Sequence, residues 1–483
     1  MTTINLLSPS SVWKYFAEIS AIPRPSKKEG KIIEYLKAFG KSHQLETKVD
    51  DVGNVLIIKE PTAGNTSQKT VALQSHVDMV CEKNSNVVFD FDTQGIKLYI
   101  DGDWVKARDT TLGADNGIGM AMMLAVLSAN DIPHGKLECL FTVDEETGLS
   151  GAFALQKGFL SADVLLNLDS EDEHELFIGC SGGIDTVAIF NYNKEKTPEN
   201  YFFFNISVSG LQGGHSGEDI NKGLGNANKI LTRYLWQLNK KMNLRICSID
   251  GGNLRNAIAR EASAIVAVPF CEKEKVRVEL NNFTADIENE ILVKEPKLTL
   301  SLESDNAVEF CIDKNTSDRL LNALYACPHG VMAMSNEMEG LVETSTNLAS
   351  VKMKDGNRIE VTTSQRSSIE SAKRDIMYMT KSVFLLAGAT VSHGDGYPGW
   401  KPNPNSEILK TAFDSYVQLF NKEPRIRAIH AGLECGLFLE KYPQLDMVSF
   451  GPTIVYPHSP NEKVKISSVE NSWKLLCEIL KDI

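Results

Sequence analysis

Five side chains able to ligate a metal stand at or near the ends of apolar runs in this 483-residue chain. They are His76 in VALQSHVDMV, Asp115 in TLGADNGIG, Glu146 in LECLFTVDEETG, Asp169 in DVLLNLDSED and His458 in VSFGPTIVYPHSPNE. Two imidazoles and three carboxylates match the needs of two divalent cations that share one carboxylate. Hydrolysis by metal-activated water is the chemistry such a set points to. Four of the five follow short runs rich in Val, Leu, Ile and Phe, which read as buried strands. In open α/β sheets, ligands and catalytic groups gather where the carboxyl ends of the strands emerge.

The neighbours of these residues sharpen the reading. His76 and Asp78 lie two apart on a predicted strand and so share a face, where a carboxylate can take the second ring N–H of a metal-bound imidazole. Asp115 sits in GADNG, a glycine-rich turn entering an apolar helix. There it can bridge two cations or simply cap the helix. Glu145 and Glu146 end a strand together and diverge, so one can bind metal while the other faces substrate as a general base. Two prolines flank His458 and stiffen its loop. His215, in GLQGGHSGED, is presented among glycines, whereas His43, His134 and His174 lie in polar contexts and are expected to be exposed. No dinucleotide fingerprint or P-loop is present.

Composition sets the class. With 50 Lys plus Arg against 63 Asp plus Glu, the net charge is −13, which argues against nucleic acid or an anionic membrane as main partner. No stretch approaches the ~18 consecutive apolar residues of a membrane helix. The opening residues MTTINLLSPSSVWKYF have neither a basic leader nor an unbroken apolar core. Nine scattered cysteines without a CxxC pair fit a reducing compartment. A cytoplasmic enzyme is expected.

The elements that must position these residues form an α/β pattern interrupted by an insertion. Helices are predicted in SSVWKYFAEISAI, KKEGKIIEYLKAFGKSH and GIGMAMMLAVLSA, with strands in NVLIIKE, TVALQSHVD, LECLFTVDEE and DVLLNLDSED. Near residue 186 the character changes. YFFFNISVSG, SAIVAVPF, VRVELN, LTLSLES and RIEVTTSQ read as alternating strands, with a helix around ANKILTRYLWQLNKK. The α/β pattern returns with SEILKTAFDSYVQLF as helix, LDMVSFGPTIVY as strand and VENSWKLLCEILKDI as helix. The expected organisation is therefore a discontinuous α/β domain over residues 1–186 and 398–483, with an α+β domain inserted over 187–397.

Taken together and in order, HVD, GADNG, DEETG, NLDSED and HSPNE resemble the dinuclear metallopeptidase family that includes glutamate carboxypeptidase, aminoacylase and several dipeptidases. GGHSG and GGNLRNAIAR are similar to that family's middle-domain motifs. GCSGG, GLQGGHSGEDI, ETSTNLASV, SQRSS, GDGYPGWKPN and HAGLECG resemble its cytosolic aminoacyl-histidine (Xaa-His) dipeptidase subgroup, over essentially the whole chain. The resemblance implies a zinc-peptidase-like catalytic domain, a mixed sheet flanked by helices, with an inserted lid that also forms a homodimer. It implies two divalent cations, for which the N/O ligand set suits Zn, with Mn and Co also compatible. His76, Asp115 and Asp169 hold one, and Asp115, Glu146 and His458 the other. It further implies Asp78 as the orienting catalytic aspartate, Glu145 as general base and His215 as oxyanion donor. Asn256 and Arg366 are implied near the substrate, Arg366 for its carboxylate.

The implied substrates are unblocked dipeptides, Xaa-His among them. An aminoacylase on the same scaffold is the alternative, because fold and metal site do not fix the substrate. A free amine needs an acidic or carbonyl acceptor, and Glu434 in HAGLECG is a candidate for it or else a structural loop carboxylate. A non-catalytic binding protein is the remaining class, and no ligand position is lost as it would require.

Overall fold

The computed structural model describes residues 3–66 and 68–483. The chain forms two compact units, one of residues 1–179, 402–428 and 433–483 and one of residues 180–401 and 429–432. The first unit is built on an eight-stranded mixed sheet. At its centre Leu137–Thr142, Val71–His76, Val164–Asn167 and Asp446–Ser449 run parallel in that spatial order. These four strands are almost wholly buried, as near-continuous apolar runs in a parallel sheet require. Their common direction brings the residues after Thr142, His76 and Asn167 to one edge.

The helix Ala114–Ser128 is apolar nearly all round and buried along most of its length. It packs against Val71–His76 and the helix Ser10–Ser20, which fits a helix enclosed on several faces. Its first turn is irregular, with Asp115 and Asn116 outside helical dihedrals. Among the described residues no helix is long and apolar enough to cross a membrane.

The second unit is an antiparallel sheet backed by helices. Its core joins Phe190, Phe204, Tyr234, Phe283 and Phe384.

Three sequence expectations are corrected. VRVELN is not a strand but part of the helix Lys273–Ile291, which buries Val276, Leu280, Phe283 and Ile287. That spacing is a helical stripe. LDMVSFGPTIVY is two short strands, Asp446–Ser449 and Ile454–Val455, belonging to different sheets. His134 is fully buried, because its Nδ1 pairs with the Gly135 carbonyl at 2.6 Å. The unit boundaries also differ from those expected. Cys180 pairs with Trp400 and Gly183 with Tyr397, and the Ser181 N–H is shared by the carbonyls of Ile429 and Ala431. These bonds hold both stretches in the second unit.

Candidate active site

At the carboxyl edge of the first unit's sheet, the five candidate ligands converge. Donor atoms of His76, Asp115 and Asp169 lie within 4.8 Å of one another, as do those of Asp115, Glu146 and His458. Asp115 divides its two oxygens between the groups. Its Oδ1 is 3.0 Å from His76 Nε2 and its Oδ2 3.0 Å from His458 Nε2. His458 Nε2 is also 3.0 Å from Glu146 Oε2, and His76 Nε2 is 3.4 Å from Asp169 Oδ1. Asn116 donates to Asp169 and accepts from the Gly119 N–H, which aims the Asp169 carboxylate.

The site is electrostatically primed for cations. Burial opposes charge on His76, yet Asp169, Asp115 and Asp78 together hold its pKa well above the ordinary value. Hydrogen bonds to Asp115 and Glu146 push His458 up to about 11. Burial, against the pull of His76, raises Asp169 to about 6. Glu146 Oε1 is buried without a partner. A field that draws protons this strongly onto imidazoles also draws divalent cations, and the N/O donor set fits two of them.

Asp78 lies beyond the end of the strand Val71–His76 and still meets His76. Its Oδ1 is 3.2 Å from His76 Nδ1. The same carboxylate accepts the backbone N–H groups of Glu145 and Glu146 at 3.1 and 3.2 Å and the Ser26 hydroxyl at 2.8 Å. It thereby ties the imidazole to the acidic pair. That pair is not extended, as the sequence suggested, but starts the short helix Glu145–Gly148, because Asp144 enters it with φ of 51°. Adjacent residues diverge on a helix as well. Glu145 also approaches His76 and Glu146. Burial, with Asp169, Glu434 and Glu146 nearby, raises its pKa well above the usual carboxylate value.

Glu434 is 1% exposed and accepts from Gln74 and Thr142 at 2.6 and 2.8 Å. It belongs to the floor of the sheet edge, continuing through Gln74 to Asn167.

Two charged residues that sequence reasoning left unassigned hold the backbone of the Asp115 turn. Arg24, 1% exposed, donates to the carbonyls of Val77, Asp78 and Gly113 at 2.9, 2.6 and 2.5 Å. Gly113, at φ of 68°, leaves room for it, since a Cβ there would meet Arg24 Nη2 at 2.6 Å. Glu462 accepts four backbone N–H groups, those of Leu112, Gly113, Ala114 and Asp115. It stands in HSPNE, so a motif already singled out contained the signal.

The remaining sequence candidates lie in the second unit. His215 accepts the Glu218 N–H at Nδ1, at 3.2 Å. Asn256 is exposed, and its carbonyl accepts the Ser216 N–H. Arg366 is buried, donates to the Tyr397 hydroxyl at 2.9 Å and leaves its Nε without a partner. Burial and Arg366 lower His215 to about 4. His430, unassigned from sequence, pairs with Ser345 at 2.7 Å. Burial, with Arg366 and His215 nearby, lowers its pKa to about 3.

The chain is 46% identical over 486 residues to the cytosol non-specific dipeptidase of Escherichia coli (strain K12), an alignment covering 100% of this chain and 99% of that protein. The crystal structure of aminoacylhistidine dipeptidase from Vibrio alginolyticus matches with a TM-score of 0.93 at 44% identity, covering 99% of this chain and 98% of the other. Aminopeptidase PepT from Bacillus cereus ATCC 10987 shares the fold, with a TM-score of 0.58 at 16% identity and 99% of each chain covered. The model of peptidase family M20/M25/M40 matches residues 72–482, and the chain belongs to that family.

Proposed function

We propose that this chain hydrolyses the peptide bond of unblocked dipeptides, Xaa-His dipeptides among them, using water activated at a pair of divalent cations. The observation that carries the reading is the Asp115 carboxylate, set with one oxygen toward His76 and the other toward His458. The names of two relatives, a non-specific dipeptidase and an aminoacylhistidine dipeptidase, support the substrate class. His76, Asp115 and Asp169 would hold one cation, and Asp115, Glu146 and His458 the other. Zn suits this donor set, with Mn and Co compatible. When bound, the pair supplies Lewis acidity that lowers the pKa of water and polarises the scissile carbonyl.

The chain's own residues do the rest. Asp78 fixes the ring of His76 and the backbone of the acidic pair. Glu145 takes the proton of the attacking water and returns it to the leaving nitrogen. His215 donates to the carbonyl oxygen as it becomes an oxyanion. Asn256 lies near the substrate, and Arg366 binds its carboxylate. The compartment we assign is the cytosol, as in the name of the E. coli relative. Assembly as a homodimer through the second unit, residues 187–397 in the sequence reading, is part of the proposal. Exposed Val331, Met332 and Met334 on the strand Gly330–Met334 support it.

Side-by-side assay of Gly-His, carnosine and N-acetyl-amino acids, with elemental analysis of the same preparation, tests the function. Turnover of the free dipeptides with two metals per chain is the expected result. Preference for the acylated substrates would move the activity to an aminoacylase. A chain without metal or turnover would defeat the reading.

His458→Ala is expected to lower metal affinity and turnover together. The imidazole is 50% exposed, so its truncation leaves no buried cavity, and the fold should persist. Loss of groups that merely orient ligands typically costs about 10–100-fold in affinity or activity, and loss of a ligand itself should cost at least as much. Metal titration by calorimetry decides it: two ions still bound at wild-type affinity would remove His458 from the ligand set.

A further inference from the structure

Glu462 is a carboxylate with no part in the chemistry proposed above, yet its placement is specific. Its Oε2 accepts the N–H groups of Leu112 and Gly113 at 2.8 and 3.0 Å, and its Oε1 those of Ala114 and Asp115 at 2.8 and 3.4 Å. Four consecutive backbone donors thus converge on one side chain that is 2% exposed. They come from the turn that carries the shared carboxylate. Asp115 and Asn116 leave helical dihedrals in this stretch, so the helix does not itself fix where the Asp115 side chain points.

Glu462 is four residues after His458, in the loop between the strands Ile454–Val455 and Lys463–Lys465. That loop is closed on itself. The Glu462 N–H donates to the Ser459 carbonyl at 3.0 Å, the Ser459 hydroxyl to the Tyr456 carbonyl at 2.9 Å, and the Asn461 N–H to the Ser459 hydroxyl at 3.2 Å. One short rigid segment therefore presents a ligand candidate at one end and grips the backbone of Asp115 at the other. Across the same two stretches His458 Nε2 lies 3.0 Å from Asp115 Oδ2.

Resting on the dinuclear reading above, we propose that Glu462 is a positioning residue, locking the His458 loop to the Asp115 turn so that the shared carboxylate meets both cations. Only a carboxylate serves. A glutamine offers one acceptor oxygen and turns an NH₂ group toward two of the four donors. An aspartate is one methylene short. A buried N–H without a partner is costly, so the turn should shift to find another acceptor, taking the Asp115 carboxylate with it.

The test compares wild type, Glu462→Gln and Glu462→Asp after chelation, using near-UV circular dichroism, thermal melting with and without metal, and calorimetric titration with Zn²⁺ or Mn²⁺. Both variants are expected to fold and to bind metal about 10–100-fold more weakly, the range for lost ligand-orienting partners. The rise in melting temperature on adding metal should be smaller than in wild type, because binding to the folded state stabilises in proportion to its affinity. With Gly-His, kcat should fall at limiting metal and recover in part at saturating metal, while KM stays within about twofold. Folded variants that bind both ions with wild-type affinity would overturn the proposal. Failure of both variants to fold would also overturn it, making Glu462 an element of stability alone. If wild type itself binds no metal, the dinuclear reading fails instead, and the two outcomes are told apart by that control.

Discussion

Glu145→Gln is expected to keep the fold and both metals and to lose about 10²–10⁴ of the turnover rate, the usual worth of a general base. The Glu145 backbone N–H is fixed to Asp78 Oδ1 at 3.1 Å, a bond that does not depend on the side chain. The glutamine amide fills the same volume, so neither the short helix Glu145–Gly148 nor the neighbouring Glu146 has cause to move. What changes is basicity. Burial, with Asp169, Glu434 and Glu146 close by, raises the proton affinity of the Glu145 carboxyl, which suits a group that must take a proton from water and release it to nitrogen. An amide cannot hold that proton. Metal content by elemental analysis and kcat on Gly-His are measured on the same sample. Near-normal kcat with full metal content would place the base elsewhere. Loss of metal along with kcat would instead make Glu145 a ligand, an arrangement that its proximity to His76 and Glu146 allows geometrically.

The positions of His76, Glu146 and Asp169 were legible because each ends or follows a buried strand of the sheet's parallel centre. Such strands advertise themselves as unbroken apolar runs, and their shared direction brings their ends together. The return of His458 to this site was legible only indirectly, through an α/β pattern that resumes after the insertion. VRVELN failed for a reason of scale. Six alternating residues satisfy a strand, but the stripe Val276, Leu280, Phe283 and Ile287 shows only across the 19-residue helix. Arg24 carried no pattern signal, and Glu462 stood inside HSPNE with nothing to mark its role. Their partners are backbone carbonyls and amides, which every residue type carries, and Glu462 lies about 350 positions from the N–H groups that it accepts. His134 shows the same limit in miniature, since a polar stretch of sequence says nothing of a ring buried against its neighbour's carbonyl.

His215→Ala is expected to depress kcat by about 10²–10³, the cost of one oxyanion donor, with metal content unchanged. An oxyanion donor must offer a fixed N–H, and the local bonds of His215 fix one. The Glu218 N–H donates to His215 Nδ1 at 3.2 Å. A neutral imidazole that accepts at Nδ1 carries its proton at Nε2, so the tautomer is set with Nε2–H as the free donor. The His215 N–H is itself anchored to Asp219 Oδ2 at 2.6 Å, which steadies the glycine-flanked turn. Burial and the nearby Arg366 lower the ring's pKa to about 4. A histidine with a depressed pKa is neutral at every pH well above 4, so His215 is a neutral imidazole throughout the neutral range. The kcat–pH profile of wild type should therefore show no limb from this group between pH 6 and 8. In the alanine variant kcat should fall at every pH in that range by a similar factor. Because the donor acts on charge that develops only in the transition state, the loss should fall on kcat and leave KM comparatively untouched. Unchanged kcat on a Xaa-His dipeptide would remove His215 from the reaction and leave the oxyanion to the metals, while a change confined to KM would make it a binding residue.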